Sequence, residues 1–141
     1  MPTVQDIIFL FDDLWPEMEY SAAYRDSCLA QINQINAMFQ RHQQNFDDLL
    51  NELDSLPGIG LVIASGLIFC ANRATMVPFD KYTTGWALEL RIIPDNRISA
   101  NNYVDYSSRI RDYIRNSEHL SDIVDFVREA RVSTYFAIAP E

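Results

Sequence analysis

The sequence predicts an all-α fold, a compact single domain of six or seven helices over residues 1–141. Three observations lead to this prediction. Apolar residues recur at spacings of three and four along almost every segment, which is the period of a helix buried on one side. They make up 48% of the 141 residues, enough to build a core. The chain has the length of one domain, and no repeat, low-complexity linker or internal boundary interrupts it.

The N-terminal part predicts three helices. Val4 to Trp15 is apolar on one side and ends before Pro16, which disfavours a continued helix. One apolar stripe predicts a single second helix, and it consists of Tyr24, Cys28, Ile32, Ile35 and Phe39. The same period returns from Phe46 and continues to Leu56, where Pro57 stops the helix.

The remaining helices follow from one apolar segment and three further stripes. Leu61 to Ala71 is apolar almost all round, which is typical of the central helix of a core. The stripes consist of Tyr82, Trp86, Leu90 and Ile93; of Tyr103, Tyr106, Ile110 and Tyr113; and of Leu120, Ile123, Val127 and Ala130. Ser117 and Ser121 are candidate N-caps of the last one. The segment Val132 to Ala139 fits either a short strand or a helix end.

Several features predict a cytoplasmic protein without a membrane partner. No basic region followed by an apolar stretch marks a secretion signal at the N-terminus. The longest apolar run, 59–71, is about two-thirds of a membrane span and is expected to be a buried helix. Cys28 and Cys70 are expected to be buried free thiols rather than a disulfide. With only two cysteines and two histidines, no zinc or iron-sulfur site is predicted.

The net charge of −9 counts against a nucleic-acid partner at first sight, but the charge is unevenly distributed. Residues 1–56 hold two basic and ten acidic side chains, whereas residues 73–115 hold seven basic and five acidic ones. Ten of the eleven basic residues are arginines, which suit bidentate contacts to phosphate. The alternative is that these arginines pair with the domain's own carboxylates, and the sequence leaves both interpretations open.

The five residues Leu56, Pro57, Gly58, Ile59 and Gly60 predict a sharp turn between two helices. Proline ends the incoming helix, and the two glycines are expected to let the backbone turn with no side chain in the way. The outgoing helix then begins with free backbone N–H groups, which bind phosphate oxygens without basic side chains. This pattern predicts a helix-hairpin-helix element at about residues 45–72. The alternative is a tight turn that serves packing only.

The stretch from Leu56 to Ile93, LPGIGLVIASGLIFCANRATMVPFDKYTTGWALELRII, resembles the signature of the helix-hairpin-helix DNA glycosylase superfamily. The resemblance implies that the hairpin contacts DNA, and the expected DNA-binding residues are Leu56, Pro57, Gly58, Ile59, Gly60, Leu61 and Val62, with Arg73 and Lys81 as cationic helpers. It also implies no cofactor other than a monovalent cation held by the hairpin carbonyls of residues 56–60.

Asp80 aligns with the catalytic aspartate of that family, whose carboxylate stabilises the cationic sugar as the base leaves or activates the attacking group. Val62 stands where bifunctional members carry a nucleophilic lysine, so a lyase reaction through that position is excluded and only monofunctional base excision is implied. The structural alternative for Asp80 is an N-cap of the helix that begins at Lys81.

Two functional hypotheses follow. The first is a DNA-binding protein, similar to a shortened helix-hairpin-helix glycosylase of DNA repair, which holds backbone phosphate on the hairpin amides. The second is a non-enzymatic protein-interaction module that keeps the hairpin as a scaffold and binds a basic partner through its acidic N-terminal half.

Overall fold

The computed structural model describes residues 1–95 and 97–138, with side chains up to residue 133, and within these residues the fold is all-α, as predicted. The helices are α1 (Val4–Ile8), α2 (Ser21–Ala30), α3 (Ile32–His42), α4 (Phe46–Asp54), α5 (Leu61–Ala71), α6 (Lys81–Glu89), α7 (Tyr103–Arg115) and α8 (Ile123–Ile138). A π-helical segment, Phe9–Leu14, extends α1, and a 3-10 turn, Ala100–Asn102, precedes α7.

Helix α5 is the central helix of the core, as its apolar sequence predicted. Every residue from Ile63 to Cys70 is buried. It packs against α1, the π-helical segment and α4, while α8 packs against α6 and α7 packs against α4 and α8. The buried side chains form one cluster that extends from Ile7 to Val127, so the chain is a single domain.

The prediction of one helix along the stripe from Tyr24 to Phe39 was wrong. The chain forms α2 and α3, and the interruption is at Gln31, which has φ −106° and ψ 14°. Because only one residue leaves the helical conformation, the spacing of the apolar residues hardly changes, and the stripe cannot reveal the break. This division raises the number of α-helices in the described residues to eight, above the predicted six or seven.

The later helices also begin or end at residues other than those that the apolar stripes predicted. Helix α6 ends at Glu89, so Leu90 and Ile93 lie beyond it. The ambiguous segment is helical as far as Ile138, and Ala139 lies outside the described residues. Helix α8 begins after Asp122, whose Oδ1 accepts a 2.8 Å hydrogen bond from the N–H of Asp125. Asp122 therefore caps α8, in place of Ser117 or Ser121.

Cys28 and Cys70 are buried free thiols, as predicted. Burial raises the pKa of each thiol to about 12. None of the helices in the described part of the chain is both long and apolar enough to cross a membrane.

Candidate nucleic-acid interface

Residues 55–60 form the turn between α4 and α5, and three contacts hold it. Ile59 is buried and anchors the turn in the core. Its N–H donates to the carbonyl of Leu56 at 3.1 Å. The carbonyl of Pro57 accepts a 2.9 Å hydrogen bond from Nε2 of Gln31, so the break between α2 and α3 supports the turn. Pro57, Gly58 and Gly60 themselves remain exposed.

The two glycines of the turn have different roles. Gly58 has φ +73°, a left-handed conformation that favours glycine, and a Cβ there would lie 3.0 Å from Oγ of Ser27. Gly60 has φ −97° and ψ −173°, an extended conformation open to any residue, and a Cβ there would meet nothing within 4 Å. The expectation that both glycines are needed for the turn therefore holds for Gly58 and is wrong for Gly60. What the glycine at position 60 does provide is open access to the backbone at the start of α5.

Helix α5 begins with amides that have no acceptor among the residues that the structure describes. The N–H of Ala64 donates to the carbonyl of Gly60 at 2.9 Å and closes the first turn. The N–H groups of Leu61, Val62 and Ile63 precede that bond, and no acceptor for them occurs among the described residues. The first turn also lacks an acidic residue. It thus presents three N–H groups and the positive end of the helix dipole, which together favour an anion.

A cleft of about 870 Å³ lies at this end of α5. Two of its sides come from residues 58–63 and from residues 80–82 at the start of α6. Trp15, residues 17–20, Tyr24 and Arg131 complete the lining. The cleft therefore brings the turn, the free amides, Asp80 and Lys81 to one place, and its volume is within the range of clefts that bind small organic ligands.

Asp80 is the N-cap of α6. The sequence predicted this role as the structural alternative to a catalytic one. Its Oδ2 accepts a 3.2 Å hydrogen bond from the N–H of Thr83, and its Oδ1 accepts a 2.6 Å hydrogen bond from Oγ1 of the same residue. The side chain is buried, which raises the pKa of the carboxyl group, while the hydrogen bonds from Thr83 act in the opposite direction. Hydrogen bonds from the backbone N–H groups of Asp80 and Tyr82 also lower the pKa, so the carboxylate is surrounded by donors at the start of its own helix.

A buried hydrogen-bond network fixes the loop that ends at Asp80. The N–H of Phe79 donates to Oγ of Ser65 at 2.8 Å, and the N–H of Val77 donates to Oγ of Ser107 at 3.1 Å. The hydroxyl of Tyr106 donates to the carbonyl of Pro78 at 2.9 Å. The sequence analysis missed this network, although a serine at position 65 within an otherwise apolar helix was a signal that could have revealed it, because a buried hydroxyl needs a partner.

The two predicted cationic helpers lie at opposite ends of α5. Lys81 lines the cleft, and its Nζ lies 5.0 Å from the ring centroid of Tyr82. Arg73 follows the C-terminal end of α5, which is about 16 Å long at 1.5 Å per residue. There it forms a 3.0 Å ion pair with Asp6 and lies 4.1 Å over the ring of Phe9. The structure thus brings Lys81, but not Arg73, to the turn.

Most arginines pair with the protein's own carboxylates, which was one of the two interpretations that the sequence left open. Ion pairs connect Arg25 to Asp12, Arg41 to Glu52, Arg73 to Asp6, Arg109 to Asp105, Arg115 to Asp112, Arg128 to Asp13 and Arg131 to Glu17. The positive charge left to attract a polyanion over a distance is therefore small, and contacts from backbone amides gain importance.

The residues 56–60 offer little to the monovalent cation that the resemblance implies. The carbonyl of Leu56 accepts from Ile59, that of Pro57 from Gln31 and that of Gly60 from Ala64, so three of these five carbonyls are already engaged in hydrogen bonds. Among the residues that the structure describes, no group of three or more His, Cys, Asp or Glu side chains is arranged to hold a metal ion.

Comparison of the chain with protein-family models, with curated proteins and with solved structures finds no match. What the protein binds is therefore inferred from the geometry of the cleft and from the sequence pattern of residues 56–93.

Proposed function

We propose that this protein binds DNA through the turn between α4 and α5, which serves as a helix-hairpin-helix element. The observation that carries the proposal is that residues 61–63, whose amides are free, and the buried N-cap Asp80 line the same cleft. A backbone phosphate bound by the amides of residues 61–63 would place the adjoining sugar near that carboxylate. The exposed glycine at position 60, which the fold does not require, leaves room for the phosphate to approach.

The proposal extends from DNA binding to catalysis, in which Asp80 takes part in monofunctional base excision. The glycosidic C–N bond breaks with its electron pair leaving on the base, and the carboxylate stabilises the cationic sugar. A water molecule then adds to the cation, and the proton that it loses neutralises the departing base. The Thr83 hydrogen bonds support this role, because they favour the ionised form that the burial of Asp80 disfavours. Val62 cannot act as an amine nucleophile, so cleavage of the strand by a Schiff base at that position is not expected.

The test of DNA binding uses the full chain with single-stranded, duplex and abasic-site probes at low and moderate salt. Gly60→Leu should keep the fold, since the position has space and an ordinary φ, yet it should block phosphate from the amides. Ala74→Leu, exposed at the other end of α5, is the matched control. Binding that is lost in Gly60→Leu and kept in Ala74→Leu supports the proposal, whereas equal binding by both variants rules out the hairpin as the contact.

The test of catalysis follows base release from duplex substrates with Asp80→Asn. Asparagine is also a good N-cap, so this variant separates capping from chemistry. Lost base release without lost thermal stability supports catalysis. Equal release by the variant and the wild-type protein removes Asp80 from the mechanism.

A second candidate function is a protein-interaction module that binds a basic partner. The excess of acidic side chains in residues 1–56 favours it, and both arginines of this region, Arg25 and Arg41, are neutralised by ion pairs. A folded protein that binds none of the DNA probes even at low salt would favour this second function over the first.

A further inference from the structure

Tyr20 has an unusual backbone conformation for its residue type. It directly precedes α2 with φ 61° and ψ 27°, the left-handed region that glycine and asparagine tolerate and that a bulky residue seldom adopts. It also occupies the N-cap position, where a short polar side chain is preferred, and its side chain forms no capping hydrogen bond. Local structure alone would not favour a tyrosine here.

The packing of Tyr20 does not explain the residue either. Its side chain is 70% exposed, and among the side chains that the structure describes it is the one exposed aromatic residue. Its contribution to the helix is made by the backbone, whose carbonyl accepts from the N–H of Tyr24 at 3.0 Å. Any residue would provide that carbonyl. Strained backbone with an unexplained side chain is characteristic of functional sites.

The position of Tyr20 suggests what the side chain does. Together with Trp15 and Tyr24 it lines the cleft that also holds Asp80 and the free amides of residues 61–63. Trp15 is almost fully buried, and its indole N–H has no acceptor within the described residues. The cleft is therefore lined by aromatic side chains next to an anion-binding helix end.

Charge in the cleft is nearly balanced, so charge alone cannot provide strong binding. Glu17, Glu19 and Asp80 oppose Lys81 and Arg131 in its lining. Stacking on aromatic rings is the contribution that does not depend on this balance, and every nucleobase has a face that can stack. A base within a duplex is already stacked on its neighbours, and only an unpaired base is free to stack on a side chain.

We infer that Tyr20 is a base-stacking residue and that the cleft takes an unpaired nucleotide, with its phosphate on the amides of α5. This inference rests on the proposed DNA binding and specifies its ligand. An unpaired nucleotide can come from a single strand or from a defect in a duplex, and the experiment has a probe for each source.

Three protein variants are compared on three labelled DNA probes: oligodeoxythymidylate, a duplex with one unpaired nucleotide and a fully paired duplex. Tyr20→Asn should leave Tm unchanged or raise it by up to about 4 °C, because asparagine tolerates the left-handed backbone. It should weaken binding of the two probes with unpaired nucleotides about tenfold. Tyr20→Phe should bind them as tightly as the wild-type protein. Gln43→Asn, a neutral change at another exposed residue with positive φ, is the control and should keep full affinity.

The outcomes distinguish a failure of base stacking by Tyr20 from a failure of DNA binding. If wild-type protein binds and Tyr20→Asn binds every probe equally well, Tyr20 is not a stacking residue and DNA binding stands. If Tyr20→Asn weakens binding of the fully paired duplex by the same factor, selection for unpaired nucleotides is overturned. If the wild-type protein binds none of the probes, the proposed function fails first. If Tyr20→Asn weakens binding of only the two probes with unpaired nucleotides, the inference is supported. The one of these two probes that wild-type protein binds more tightly then identifies whether the unpaired nucleotide comes from a single strand or from a defect in a duplex.

Discussion

The N–H of Phe79 donates a 2.8 Å hydrogen bond to the side-chain oxygen of Ser65. This bond connects the middle of α5, the helix that begins at the exposed turn, to the residue directly before Asp80. Because Ser65 is fully buried and its hydroxyl also donates to the carbonyl of Val62 at 2.6 Å, the contact is shielded from water. The free amides and the carboxylate therefore occupy fixed positions relative to each other.

Ser65→Ala is expected to lower the free energy of unfolding by about 1–3 kcal/mol. The substitution leaves the N–H of Phe79 buried without its acceptor, which costs the desolvation of that group. Urea unfolding followed by circular dichroism measures the effect. Ser108→Ala is the control, since the hydroxyl of Ser108 forms no hydrogen bond within the described residues. Equal stability of the two variants would mean that the contact does not hold the loop.

Asp80→Ala and Asp80→Asn are expected to differ in stability. Alanine removes the acceptor of the Thr83 N–H and should cost about 1 kcal/mol, whereas asparagine retains a capping oxygen. Thermal unfolding of both variants at neutral pH measures the difference. If the two variants lost stability equally, capping by the side-chain oxygen would not be what Asp80 contributes.

The stability difference between Asp80→Asn and wild-type protein is expected to depend on pH. Burial raises the pKa of Asp80 above its unfolded value, so the folded state binds the proton more readily than the unfolded state. The cost of burying the charge is therefore largest at neutral pH and disappears as the pH falls through the folded pKa. The advantage of the asparagine variant over wild type should shrink on acidification, as measured by urea unfolding at several pH values. An advantage that grows on acidification would show a lowered pKa.

Gly66→Ala is expected to destabilise the protein by about 1–3 kcal/mol through overpacking. A Cβ at position 66 would lie 2.4 Å from Cη2 of Trp15 and 3.0 Å from Cδ2 of Leu10. Gly60→Ala provides the contrast, because a Cβ there meets nothing within 4 Å, and it should change stability by no more than about 1 kcal/mol. Denaturant midpoints of the two variants, each relative to wild type, test the prediction, and the reverse order would contradict it.

Cys28 and Cys70 are expected to react slowly with a thiol reagent in native protein at pH 8. Burial raises the pKa of both thiols to about 12, so the thiolate that reacts is scarce, and the sulfur atoms are inaccessible. Both should be modified rapidly after unfolding in denaturant, which a colorimetric disulfide reagent counts directly. Rapid reaction of one thiol in the native state would indicate local opening of its helix.

Several parts of this fold follow from local sequence pattern alone. The all-round apolar segment from Leu61 to Ala71 became the buried helix α5, because only a core position satisfies such a sequence. Asp80 caps α6 because aspartate before a helix accepts its free amides wherever that helix is placed. Val62 cannot form a Schiff base wherever it is placed, since that reaction needs an amine.

Helix packing, in contrast, sets which of the candidate residues lie close together. Lys81 and the turn line one cleft, while Arg73 pairs with Asp6 at the other end of α5, and nothing in their spacing distinguishes these outcomes. The break at Gln31 likewise follows no breaker residue, and its side chain supports the turn through Pro57. Contacts between residues distant in sequence depend on how helices pack, and helical period records only which face of each helix is buried. That is why the sequence could predict the helices of this protein, whereas the placement of Tyr20, Asp80 and the α5 amides around one cleft required the structure.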